Sequence, residues 1–209
     1  MPHLVLIGDS IFDNARYTSG QPDVISHARK LIPAGWRATL LAVDGATTND
    51  IPSQLRRLPP DASHIVLSVG GNNAIMNADV LTMPVQLGRE VLAALAEISR
   101  RFEESYRQTV EACLESHLPL VLCTIYDGCF DDATYQRMMS VTLMVFNDAI
   151  LRVAIKFRLP VIDLRFVCTS REDYANPIEP SSAGGEKIAR AIAKLVSGSE
   201  LVCARVFAG

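Results

Sequence analysis

Short runs that are largely apolar on both faces alternate along this chain with longer stretches whose apolar residues return every three or four positions. The short runs are Leu4–Ile7, Ala38–Val43, His64–Val69, Leu118–Ile125 and Leu159–Leu164, all rich in Val, Ile and Leu. A strand with one wet face alternates apolar and polar residues, whereas a strand covered on both faces does not, so these runs predict buried parallel strands. Helices are predicted over Pro22–Leu31, Thr48–Arg57, Met83–Ser116 (with a break near Gly88), Asp132–Phe157 and Ser182–Val196. Between Glu90 and Glu115 the stripe Val91, Leu92, Leu95, Ile98, Phe102, Tyr106, Val110 and Cys113 has the spacing of a helix lying on a sheet.

Five strand–helix alternations imply an α/β three-layer sandwich: a parallel sheet with right-handed crossovers and helices on both faces. The order 2-1-3-4-5 is expected by analogy with small doubly wound folds, which bind ligands outside the carboxyl ends of their strands. With 209 residues and no internal repeat or compositional break, a single domain over 1–209 is expected. The apolar tail Leu201–Gly209 is expected to pack as a further turn or strand.

Composition narrows the function. A net charge of −3 lacks the basic excess of a phosphate-backbone binder, so no nucleic-acid partner is expected. The pairs Arg56-Arg57 and Arg100-Arg101 read as solvated helix faces. The five cysteines, an odd number with no Cys-x-x-Cys, fit a reducing compartment and argue against structural zinc. The start of the chain has no signal-like leader, and no uninterrupted apolar run approaches the roughly 18 residues of a membrane span. A soluble, cytoplasmic protein follows as the expectation. Neither a Gly-x-Gly-x-x-Gly nor a Gly-x-x-x-x-Gly-Lys-Ser/Thr motif occurs, which disfavours a nucleotide or flavin site, and no cofactor is expected.

The candidate chemistry lies at the carboxyl ends of the strands. Strand one delivers Gly8-Asp9-Ser10, strand two Asp44-Gly45-Ala46, and strand three Gly70-Gly71-Asn72-Asn73. A serine at a strand end suits a nucleophile. The Ser10 N–H, the Gly45 N–H and the Asn72 amide are a plausible set of donors for a developing oxyanion. Each piece also has a plain structural explanation: Gly45 as a turn residue, Gly70-Gly71 as a strand-ending turn, and Asn72 and Asn73 as helix caps.

Together these residues resemble the first three sequence blocks of the SGNH (GDSL-type) esterases and lipases. The segment Glu179-Pro180-Ser181-x-x-Gly184-x-x-x-Ile188-Ala189 resembles the family's fourth block. The resemblance implies Ser10 as nucleophile, an oxyanion hole of Ser10, Gly45 and Asn72, and a small-molecule ester or acyl substrate. It departs at the final block. Where the family carries Asp-x-x-His, this chain has Asn176 and Glu179, and Asn73 replaces the usual Asp.

None of the four histidines replaces the missing one. His3, His64 and His117 sit at the starts of strands, the far end of a parallel sheet, and His27 sits mid-helix. Glu179 is then the candidate base, about two pKa units less basic than histidine unless burial raises it. Asn176 is expected to orient it by donating its amide, although Glu179 also reads as a simple acid at a helix start. Asp127, Asp163 and Asp173 are spare acids near the same edge. A metal hydrolase built on Asp9, Asn72 and Asp163 lacks a histidine to complete it. Two functions follow: a serine esterase with Glu179 as an atypical base, or a non-catalytic relative that binds a small acyl or carbohydrate ligand. Substrate choice would fall to the loops Ile11–Gln21, Asn73–Val85 and Tyr126–Thr134.

Overall fold

A computed structural model of the protein describes residues 1–198. Five parallel strands, β1 (His3–Gly8), β2 (Arg37–Leu40), β3 (His64–Ser68), β4 (Leu120–Cys123) and β5 (Val161–Ile162), form one sheet in the order β2-β1-β3-β4-β5. The helices are α1 (Val24–Leu31), α2 (Ile51–Leu55), α3 (Gly71–Ile75), α4 (Gly88–Leu114), α5 (Ala133–Phe157) and α6 (Ser182–Val196).

Successive strand residues point to opposite faces, so an all-apolar strand builds two cores at once. Val5 and Ile7 of β1 join Ile65, Leu67 and Leu122 under α4 and α5, with Phe102, Tyr106 and Phe146 filling that layer. Leu4 and Leu6 join Val66, Val121 and Ile162 under α1 and α6, with Ile188 and Ile192. The fold is therefore the three-layer α/β arrangement that the sequence pattern predicts. α5 is long and apolar enough to cross a membrane by length and composition, but half of its most apolar window is buried within the protein. A core helix has that character.

Every strand but β1 ends sooner than its apolar run suggests, where a side chain or an irregular backbone contact takes over. Beyond β4, both backbone groups of Ile125 bond to Asn147 of α5, N–H to Oδ1 and C=O to Nδ2, each at 2.8 Å. Beyond β2, Leu41 and Ala42 both donate to the Leu6 carbonyl, which breaks the regular ladder. The helix starts follow capping chemistry: the carboxylates of Asp23 and Asp132 cap α1 and α5, and the Ser181 hydroxyl caps α6. α4 begins at Gly88, where the break was expected. The stretch Thr48–Arg57 divides into a 3-10 turn, Thr48–Asp50, and the short α2. The tail Leu201–Gly209 lies outside the described residues.

Candidate active site

The site begins with a backbone contact. Gly8 ends β1 at φ +138°, and a Cβ there would lie 1.8 Å from the Ser68 carbonyl oxygen, so only glycine lets β1 and β3 run together to this point. Asp9 N–H bonds to that same carbonyl at 3.0 Å. The buried amide of Gln54 brackets Gly8 on its other side, accepting its N–H and donating to its C=O at 2.8 Å each. The turn that follows places Ser10 at the sheet's carboxyl edge, only 7% exposed. The Ser10 N–H has no acceptor among the described residues.

Glu179 arrives from the far end of the sequence. The Ser10 hydroxyl donates to Glu179 Oε1 at 3.1 Å, and Glu179 is itself buried. Its second oxygen, Oε2, is buried without a partner. Burial pushes the Glu179 carboxyl up to about 7; the Ser10 hydrogen bond opposes the rise, the Asp44 charge reinforces it and Arg16 counters it. A carboxylate so placed is about as basic as a free imidazole or slightly more so.

Ser10 and Glu179 share a cavity of about 60 Å³ with Asp9 and Asn72. The rest of its wall is largely apolar, including Val69, Ile75, Ile125, Phe130, Met139 and Leu143. Asn72 donates its amide to the Ala46 carbonyl at 2.9 Å, which uses one of its two amide hydrogens. Gly45 does not line the cavity. It sits at φ +83° in a turn closed by the Ala46 N–H on the Val43 carbonyl, and its own N–H has no acceptor among the described residues. Asn72 and Asn73 are not helix caps; Gly70 stands at the cap position of α3. Both asparagines belong to the first turn of α3, and Asn73 ties that helix to the Thr48 N–H and hydroxyl.

Asn176 does not hold Glu179 in the expected way. Its Oδ1 accepts the backbone N–H groups of Ile178 and Glu179, both at 2.9 Å, and no amide contact to the Glu179 carboxylate is present. A short amide side chain reaches its own backbone two and three residues on more readily than it reaches a neighbouring carboxylate. Nor is Glu179 a first-turn helix acid, since α6 begins beyond it at Ser182.

The spare acids have separate partners. Asp163 pairs with Arg165 and Thr124, and Asp127 lies on the cavity wall. Asp173 is fully buried and binds the N–H groups of Thr169 and Ser170 together with Lys187. Histidine is absent from the cavity wall: His3 contacts Asp61 and Thr39, His64 lies against Trp36, and His27 bonds to Ser182 on α6.

The model of the GDSL-like lipase/acylhydrolase family matches residues 6–187. The chain belongs to that family. No curated protein matches it by sequence. Among solved structures, an extracellular lipase from Streptomyces rimosus superposes with a TM-score of 0.68 at 14% identity, over 95% of this chain and 100% of that one. A lipase/acylhydrolase from Enterococcus faecalis gives 0.65 at 20% identity, over 95% and 96%. An acetylxylan esterase from Geobacillus stearothermophilus gives 0.63 at 19% identity, over 97% of each chain. At such identities the likeness speaks for the fold, the SGNH hydrolase arrangement.

Several residues around the site of this GDSL-like protein were silent in the sequence. Gln54 and Asn147 look like ordinary helix polar residues, yet each replaces strand partners at a strand end. Asn14 is fully buried and joins the Val24 N–H to the Pro180 carbonyl, linking the first loop to the segment that carries Glu179. Tyr126 donates to the Ile178 carbonyl at 2.7 Å. A polar cluster of Arg16, Tyr17 and Asp44 forms beside Gly45, with Asp44 Oδ2 accepting from both other side chains at 2.9 Å. The one available signal was their position: Asn14, Arg16 and Tyr17 follow the serine, and Tyr126 follows β4.

Proposed function

We propose that this chain is a serine esterase that cleaves short acyl esters, with Ser10 as nucleophile and Glu179 in the place of the usual histidine. The observation that carries this reading is the buried hydrogen bond from the Ser10 hydroxyl to Glu179 Oε1 on the wall of an apolar cavity. Ser10 Oγ attacks the ester carbonyl carbon while its proton passes to the Glu179 carboxylate. The carbonyl oxygen becomes negative and is met by the N–H groups of Ser10 and Gly45 and by the second amide hydrogen of Asn72. Collapse expels the alcohol, which takes the proton back from Glu179. Water then attacks the acyl-serine, gives a proton to Glu179 and releases the acid as Ser10 recovers it.

A cavity of 60 Å³ gives room for roughly four to six water-sized groups. That favours an acyl chain of a few carbons, and an acetylxylan esterase among the structural neighbours is in keeping with it. The polar cluster Arg16, Tyr17 and Asp44 lies near Glu179, outside the cavity lining, and suits a hydroxyl-rich alcohol.

The test is a series of p-nitrophenyl esters of increasing acyl length with wild type, Ser10→Ala and Glu179→Gln. Turnover should peak among the shortest chains, vanish in Ser10→Ala, and fall about 10²–10⁴-fold in Glu179→Gln. A fluorophosphonate should label Ser10 in the wild type. A folded protein that neither labels nor turns over would instead be a binder of small acyl ligands, and Glu179→Gln with unchanged turnover would remove the glutamate from the mechanism.

A further inference from the structure

The pair Ser10 and Glu179 leaves one buried acid of the same cavity unused. Asp9 precedes the nucleophile, is 2% exposed and lines the wall beside Ser10 and Glu179. Its Oδ1 accepts the Ile11 N–H at 3.1 Å. Among the described residues, neither Asp9 nor Glu179 forms an ion pair. Two carboxyl groups therefore share one largely apolar cavity with Ser10, and among the described residues no cation is paired to either. One negative charge is tolerable there, and two are not.

The surrounding groups decide which acid keeps its proton. Facing Asp9 are Tyr106 from α4, Cys123 from β4 and Tyr126 just beyond it, all neutral because burial raises their own pKa values. Asp127, a third carboxyl on the cavity wall, is raised by burial and has Arg165 nearby. Facing Glu179 across the rim are Asp44, Arg16 and Tyr17. The Ser10 hydroxyl favours the charged form of Glu179, although Asp44 outweighs Arg16 beside it, while Asp9 is the more deeply buried and has backbone donors only. Glu179 ionises first, and its charge then helps to hold the proton on Asp9.

Taking the Ser10 and Glu179 assignment as given, we propose that Asp9 is a positioning residue that works as a neutral acid, and that its ionisation sets the alkaline limit of turnover. With Asp9 protonated, the cavity wall carries the single charge that Glu179 needs to act as a base. Loss of the second proton places a further negative charge on the wall of the cavity that Ser10 and Asn72 also line, and a transition state that gains negative charge there loses stabilisation. Burial pushes Asp9 up to about 7, with the Glu179 charge adding to it and the Ile11 N–H opposing it, so the limit falls near neutrality. An imidazole base without such a neighbour would give a plateau on the alkaline side.

The experiment is the pH dependence, from about pH 5 to 10, of both short-ester turnover and the rate of fluorophosphonate labelling, in wild type and Asp9→Asn. Wild type should give a bell, and Asp9→Asn should keep the acid limb and lose the alkaline one, whatever its absolute rate. A wild-type plateau, or an alkaline limb that survives in Asp9→Asn, overturns the proposal. Infrared titration of the protonated carboxyl band covers the case in which Asp9→Asn does not fold. In Glu179→Gln the band of Asp9 should titrate at lower pH than in wild type, and an unmoved titration also overturns it. Turnover in Ser10→Ala, or an intact acid limb in Glu179→Gln, would strike the underlying esterase reading instead.

Discussion

Ser10 and Glu179 meet at 3.1 Å, yet the chain delivers them by opposite means. Ser10 stands at the end of a central strand, and main-chain geometry places it: Gly8 against Ser68, Asp9 N–H on the Ser68 carbonyl, and the Gln54 amide in place of a strand partner. Glu179 stands on an irregular turn between Tyr174 and Pro180, whose ends form a single antiparallel bridge. Side chains hold that turn. Tyr126 binds the Ile178 carbonyl, Asn14 the Pro180 carbonyl and Asn176 two of its N–H groups, while the Cys129 N–H takes the Pro177 carbonyl. On the proposed reading, a nucleophile fixed by the sheet can be disturbed only by disturbing the sheet, whereas a base fixed by separate contacts can be detuned one contact at a time.

The sharpest way to break this contrast is Gly8→Ala. The added carbon would meet the Ser68 carbonyl at 1.8 Å, and both strands would have to separate at the centre of the sheet. The expected cost exceeds about 3 kcal/mol, as loss of soluble folded protein or of most of the denaturant midpoint. A well-folded Gly8→Ala would show that the strand end is softer than its contacts imply.

Asp173→Ala should come next. It removes the acceptor for the Thr169 and Ser170 N–H groups and for Lys187, beneath the turn that carries Glu179. Unpaired donors cost about 1–3 kcal/mol each when buried, and Lys187, partly exposed, recovers some solvation. Stability should fall by roughly 2–4 kcal/mol. Amide exchange should quicken over 169–181 while β1 and β3 stay protected, and equal loss of protection in both regions would deny that the turn is a separate unit.

The same contrast explains what the sequence could and could not disclose. The strand–helix alternation, the helices on both faces and the position of Ser10 follow from periodicity and from which residues close each strand, because those features depend on burial and local geometry; the sheet order came by analogy with small doubly wound folds. The approach of Glu179 to Ser10 was inferred from the order of sequence blocks and not from any local rule. The side chains that hold the strand ends and the turn were not legible. Gln54, Asn147 and Asn14 are polar residues in otherwise unremarkable surroundings, and only the three-dimensional path shows that each satisfies backbone groups far away in sequence. Asn176 was expected to donate its amide to the carboxylate and instead accepts backbone N–H groups, since an Asx turn and a carboxylate contact ask for the same residue. Asp9 passed as part of a motif. Its significance needs the knowledge that Glu179, 170 positions later, lies in the same dry cavity.

Asn176→Ala sharpens the comparison at modest cost. The turn would lose two hydrogen bonds to backbone N–H groups on a partly exposed segment, about 1 kcal/mol in all. The carboxylate would wander, so kcat should fall about tenfold with little change in KM, because the acyl cavity itself is untouched. Asn176→Asp keeps the acceptor and should recover most of the loss. Failure of that rescue would mean that the amide nitrogen, and not Oδ1, is the part that matters.

The smallest effect concerns stability, and its sign is the informative part. Glu179 is raised from the ordinary carboxylate value to about 7, so between roughly pH 4.5 and 7 the folded protein binds a proton that the unfolded chain has released. The stability from this group is present in full below that window and is lost as pH rises through it. Glu179→Gln removes the dependence, since the amide is neutral at every pH. Above pH 7 the variant should therefore unfold at higher denaturant than wild type, by on the order of 1–3 kcal/mol, while near pH 4 the two should nearly coincide. A gain in stability joined to a loss of turnover is the pattern of a group kept in an uncongenial place for its chemistry. Matching curves across the whole pH range would mean that Glu179 is well solvated when charged, and such a carboxylate would be too weak a base for Ser10.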